Sequence, residues 1–237
     1  AMGGVSYLFY LRRLLDQIDS AWPQVEAGLQ ELRAALSGRQ TAVANVTAGA
    51  AERAAFAPHL EALLQQLPAA PGQPAARRLE ALAGDEMLVA PAQVNYVGKA
   101  ADLTALGYRH TGAAAVVVRY LATTWLWEQV RVQGGAYGAF CSLDPFTGLL
   151  QFTSYRDPRL LETLASFDGC GGFLRGLPLT DSELTRAIIG AIGDLDAHKL
   201  PDARGYAALV RHLTNVTDTY RQQMRDEVLG TRPEDFR

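Results

Sequence analysis

The sequence predicts an α+β fold, an antiparallel-rich sheet packed against helices. Apolar residues recur at spacings of three and four through much of the chain, in segments bounded by proline, glycine and capping residues. Two strand-like runs, Ala136 to Leu143 and Leu149 to Tyr155, flank Asp144-Pro145-Phe146-Thr147-Gly148. In that turn proline presets φ and glycine supplies positive φ, so the runs form an antiparallel hairpin. Helices and strands are interleaved, and no internal repeat is evident.

In chain order, Tyr7, Leu8, Leu11, Leu14, Leu15 and Ile18 make the apolar face of a first helix, which Pro23 ends. Val25, Leu29, Leu32 and Leu36 carry a second, closed by Gly38. The β-branched run Thr41 to Thr47 reads as a short strand, and a further helix covers roughly Ala51 to Leu67. Pro68 to Pro74 is loop-like by composition. Because strand-like sequence resumes around Met87 to Val97, this segment is expected to be an exposed excursion near 68–75 within one domain spanning 1–237. Ala113 to Val130 is helical, with Val116, Val117, Tyr120, Trp125 and Leu126 as core candidates. Asp157-Pro158 reads as a cap followed by a first-turn proline, opening a helix through Leu160, Leu161, Leu164 and Phe167. Thr180 and Glu183 form a capping box for a helix reaching about His198, and Pro201-Asp202 opens another that ends near Gly230. Thr231 and Glu234 look like a second capping box. The helix it announces has no body before Arg237, so a longer parent, cut after that residue, is expected.

Bulk composition narrows the function. The 237 residues are 49% hydrophobic and 20% charged, ordinary for a globular protein with a sizeable core. A formal net charge of -3 gives no basic footprint for nucleic acid. No uncharged apolar run approaches the roughly 18–20 residues of a membrane span. Arg12 and Arg13 interrupt the apolar N-terminal stretch, which also lacks a small-residue cleavage site, so no secretion signal is read there. Cys141 and Cys170 are too few for a disulfide framework and lack metal spacing; reduced, half-buried thiols are expected.

No complete active site is legible. His59, His110, His198 and His212 lack the helical spacings that bring two imidazoles and a glutamate together, so the expected metal-ligand set is none. There is no Gly-x-Ser-x-Gly elbow and no Gly-Lys-Ser/Thr phosphate loop. What remains is Arg131-Val132-Gln133-Gly134-Gly135-Ala136-Tyr137-Gly138, followed by Ser154-Tyr155-Arg156-Asp157-Pro158. Arg131 can be a helix-terminal cation complementing the helix dipole, and Tyr137 an ordinary strand residue. Alternatively, the guanidinium and the phenol converge on one carbonyl oxygen and stabilise charge developing there. In that case Gly134 and Gly135 let the backbone approach a substrate closely.

These residues resemble the presequence protease group of the pitrilysin and insulin-degrading enzyme superfamily, metallopeptidases with an inverted zinc motif. The likeness is dense in LWEQVRVQGGAYGAFCSLDPFTGLLQFTSYRDPRLLETL, Leu126 to Leu164. It continues in AIIGAIGDLDAHKLPDARGY, Ala187 to Tyr206, and RHLTNVTDTYRQQMRDEVL, Arg211 to Leu229. GGVSYLFYLRRL and VANVTA also fit. The resemblance implies an enzyme of two halves that close around unfolded peptides, with zinc and its glutamate base in the N-terminal half. By motif, Arg131 and Tyr137 would be the catalytic pair that the C-terminal half extends to substrate, with Gly134 and Gly135 as substrate-binding loop residues.

On this basis the chain is expected to be the C-terminal domain of a zinc oligopeptidase that degrades targeting peptides and other short unstructured peptides. Its partners would be the N-terminal catalytic half of the same polypeptide and the peptides. It would hold no cofactor itself, and alone it would be inactive. It would work in the cytoplasm of a bacterium or an organelle matrix of a eukaryote. Two departures from the family pattern stand out: the zinc motif is absent, and so are the closing helix and strand after Thr231, which puts one sheet edge in doubt. A non-catalytic scaffold or peptide-holding subunit of the same fold is the main alternative, and an unrelated α+β homodimer a more distant one.

Overall fold

The computed structural model describes residues 4–69, 87, 89 and 91–237. These fall into two compact units, one of Ala1–Ala90 with Pro201–Tyr206 and one of Pro91–Leu200 with Ala207–Arg237.

In the first unit, α1 (Gly4–Ser20) and α2 (Trp22–Leu36) are separated by Ala21 alone, and Pro23 sits in the first turn of α2, where its missing N–H is no loss. The two helices are in contact, and Tyr10, Leu14, Ile18, Val25 and Leu29 line an open cleft between them. The expected strand at Thr41–Thr47 is not formed: Arg39–Thr41 is a 3-10 turn, and the residues after it run on without strand structure to α3 (Ala50–Gln66). β-branching favours a strand only where a neighbour supplies ladder partners, and none pairs with this segment among the described residues. Arg39 ties the segment to the end of α3 instead. Its guanidinium donates to the carbonyls of Gln65 (2.5 Å) and Leu67 (3.3 Å).

The second unit is built on three strands, β1 (Gly98–Asp102), β2 (Gly138–Leu143) and β3 (Leu149–Tyr155), in the order β1-β3-β2 and antiparallel throughout. Phe140 lies opposite Thr153, Cys141 opposite Phe152, and Phe152 opposite Lys99. The hairpin is as expected, with Gly148 at φ 72° closing its turn and Asp144 accepting from the N–H groups of Phe146 and Thr147. β1 starts beyond the Met87–Val97 run assigned to it. Of that run, residues 88 and 90 lie outside the described residues, as do 70–75 of the predicted excursion.

Helices α4 (Ala113–Thr123), α5 (Leu161–Gly176), α6 (Asp181–Leu195), α7 (Pro201–Leu213) and α8 (Asp218–Leu229) complete the order. α4 packs against β2, α6 and α8. Leu121, Leu126, Val130, Ala136, Phe167 and Cys170 form one buried cluster, and Val116, Tyr120, Ala187, Ala191, Val228 and Phe236 a second.

Four other expectations need correction. The helix expected to run from Ala113 to Val130 stops as α-helix at Thr123 and resumes as a π-helical segment, Trp127–Val132. Asp157 is no helix cap: it is fully buried, and α5 starts only at Leu161. The single helix expected from Pro201 to Gly230 is two, because Asn215 turns left-handed (φ 54°) and Thr217 caps α8 by accepting from the N–H of Tyr220. Thr231 does not cap a helix, since its hydroxyl donates back to the carbonyl of Val228 (2.8 Å). A short 3-10 turn, Pro233–Phe236, follows and buries Phe236.

Candidate active-site surface

The Arg131 to Tyr137 segment is shaped by its backbone. The N–H of Gln133 reaches back to the carbonyl of Glu128 (2.9 Å), which makes the turn π-helical and leaves it one residue wider than an α-turn. The segment ends with the N–H of Gly135 on Arg131 and that of Ala136 on Val130. This is a glycine C-cap with each bond one residue wider than usual. Both glycines are demanded by the chain itself. A Cβ on Gly134 would stand 2.9 Å from the carbonyl carbon of Val130 and closer still to its oxygen, while Gly135 has φ 83°. Gly134 is buried and Gly135 exposed.

Arg131 is half-buried, with its guanidinium 3.9 Å from the ring centroid of Trp127. Tyr137, at the other end of the turn, is fixed at its backbone, where its N–H donates to the carbonyl of Tyr155 (3.0 Å). Its side chain is 71% exposed. Among the described residues neither side chain is hydrogen-bonded or ion-paired within the chain, and the two make no hydrogen bond to each other. Arg131 and Tyr137 thus flank the glycine turn, and among the described residues neither side chain spends a donor within the chain.

Sequence reasoning missed the aromatic and cationic surroundings. The Arg156 guanidinium stands 5.8 Å from the ring centroids of both Tyr137 and Tyr155, and Tyr96 packs edge-on against Tyr155 at 5.4 Å. The corner beneath is tied by several hydrogen bonds. Asn95 and Asp157 exchange both backbone hydrogen bonds (2.7 and 2.9 Å), and the buried Asp157 carboxylate accepts from Thr163 Oγ1 (2.7 Å) and the N–H of Arg159 (2.9 Å). The Ser-Tyr-Arg-Asp-Pro run marked this corner, but nothing in it announced which side chains would meet.

A cavity of about 590 Å³ lined by His110, Leu143, Phe146, Leu195 and Arg225 lies at the turn end of the hairpin, opposite Tyr137. Burial lowers the pKa of His110, against the opposing pull of Glu227 and Asp144. Burial pushes the Cys141 thiol up to about 12 and Cys170 up to about 11, so both are protonated, unreactive thiols at neutral pH. Among the described residues no three His, Cys, Asp or Glu side chains gather as a metal-ligand set, and no helix is long and apolar enough to cross a membrane.

Comparison with known proteins agrees with this architecture. The family described as the PreP C-terminal domain matches residues 85–237. Presequence protease 1, chloroplastic/mitochondrial, of Arabidopsis thaliana is 44% identical over 239 aligned residues, covering 100% of this chain and 22% of that protein. Protein HypA of Clostridium perfringens is 32% identical over 62% of the chain and 15% of its own length. The mitochondrial presequence protease of Emericella nidulans is 33% identical over 61% and 14%. The chain thus spans about a fifth or less of the length of these relatives. With its antiparallel sheet, its helical layer and a family match over most of its length, the chain belongs to the PreP C-terminal domain family of presequence protease-like M16 peptidases.

Proposed function

We propose that this chain is the non-zinc-binding C-terminal domain of a zinc oligopeptidase that degrades targeting peptides and other short unstructured peptides. The observation that carries this reading is the turn itself, where a half-buried guanidinium and an exposed phenol flank the two glycines with no hydrogen bond to other described residues. Among the described residues no ligand set suits zinc, and on this reading the metal chemistry belongs to the N-terminal half. The names of the presequence proteases place those proteins in mitochondria and chloroplasts, which favours an organelle for a eukaryotic parent; for a bacterial parent the reading is the cytoplasm.

This chain's own contribution would be electrostatic. As a peptide carbonyl becomes tetrahedral its oxygen gains negative charge, and fixed N–H and O–H donors aimed there lower the barrier. Stacking on Trp127 limits the rotamers Arg131 must lose, and the glycine cap fixes the backbone of Tyr137 relative to it. Gly134 and Gly135 shape the loop that the substrate backbone passes. Removal of one such donor elsewhere slows turnover about 10²–10³-fold. In the complete enzyme Arg131→Ala is expected to lower kcat by about 10²-fold with the thermal midpoint little changed. Unchanged kcat would remove Arg131 from the mechanism.

A further inference from the structure

Arg156 is one of two non-glycine residues with positive φ among the described residues, at φ 49°. A side chain there is strained, and a long flexible one gains nothing from the conformation itself. Asn215, the other, is of a type that tolerates it and does so to end a helix. Arg156 is held in place from the next residue, by the two Asn95–Asp157 backbone bonds and the buried carboxylate of Asp157. The result of that constraint is a guanidinium equidistant from two tyrosine rings, one of which is Tyr137.

We propose that Arg156 is a positioning residue that clamps the Tyr137 ring, and that the strained Tyr155-Arg156-Asp157 corner is built to hold this clamp. The inference rests on the reading of Tyr137 as a donor to substrate. The geometry is otherwise hard to account for. Tyr137 is largely exposed, and among the described residues its side chain has no hydrogen-bond partner to fix its phenol. An exposed tyrosine at a strand start would sample several rotamers. A cation over its face, itself braced by Tyr155 and through it by Tyr96, selects one. Arg156 need not touch the substrate; its effect passes through the direction in which the Tyr137 hydroxyl points.

Two measurements test this separately from the proposed function. In the 237-residue chain labelled at tyrosine ring carbons, with Tyr137 assigned through Tyr137→Phe, Arg156→Gln is expected to make the Tyr137 side chain markedly more mobile, and Arg156→Lys less so. An unchanged Tyr137 signal overturns the clamp whatever the enzyme does. In the assembled enzyme Arg156→Gln is expected to lower kcat on the order of tenfold, below the roughly 10²-fold cost of misplacing a reacting group by 1 Å, with KM little changed. Arg156→Gly relieves the positive φ and is expected to leave the fold at least as stable while losing kcat to the same extent. If the glycine variant keeps full kcat, Arg156 is a structural residue only and the inference fails. If Arg131→Ala slows turnover and Arg156→Gln does not, positioning fails while the proposed function stands. If neither slows it, both fail.

Discussion

Arg131 and Tyr137 owe their placement to two glycines that are needed for different reasons. Gly134 is needed because its α-carbon lies against the carbonyl of Val130, and Gly135 because its backbone is left-handed. Gly134→Ala must push backbone rather than a flexible side chain, and is expected to destabilise the chain by about 1–3 kcal/mol, as overpacking does. Gly172 in α5 is the internal comparison. A Cβ there meets nothing within 4 Å, so Gly172→Ala is expected to stabilise by roughly 0.5–1 kcal/mol. Urea unfolding of the two variants checks the opposite signs, and equal shifts would contradict the local account. Sequence alone could nominate the Gly-Gly pair but tied it to substrate approach. Its first duty in the structure is to the chain's own backbone. Arg156 was harder to read, since no sequence rule announces a left-handed arginine.

At the scale of elements, legibility followed how local the signal was. The hairpin around Asp144 to Gly148 and the cap of α6 were readable because each rests on residues a few positions apart. The cap is complete: the N–H of Thr180 donates to Glu183 Oε2 (2.9 Å) and the N–H of Glu183 to Thr180 Oγ1 (3.3 Å), while the Thr180 hydroxyl also donates to the carboxylate (2.7 Å). Thr180→Ala is expected to cost about 1 kcal/mol. The Thr180 hydroxyl and N–H hold the Glu183 carboxyl below its ordinary value of 4.5. A lowered carboxylate contributes stability that is full above that value and is lost as pH falls through the folded one. The difference between wild type and Thr180→Ala should therefore shrink as urea unfolding is repeated below about pH 4.5; a difference independent of pH would argue against the carboxylate's part. Elements that depend on distant partners were not readable. Thr41–Thr47 had strand composition without a paired neighbour, and the π-helical turn at Trp127–Val132 has no periodicity to distinguish it from α-helix. The break at Asn215 did have a signal, an asparagine two residues before a capping threonine, but the long apolar period masked it.

At the scale of the whole molecule, exposed apolar side chains such as Leu15, Trp22 and Leu36 on α1 and α2, and Phe140 on β2, favour a chain that works against other protein. The central claim is that this domain supplies transition-state donors to a catalyst that it does not contain. The most direct test is to mix the chain with a separately produced zinc-bearing N-terminal half of a presequence-type peptidase and follow cleavage of a quenched fluorescent peptide. The expected result is metal-dependent cleavage that neither part shows alone and that Arg131→Ala in this chain weakens. A stable complex of the folded parts that cleaves nothing, or one whose cleavage is indifferent to Arg131→Ala, would contradict it.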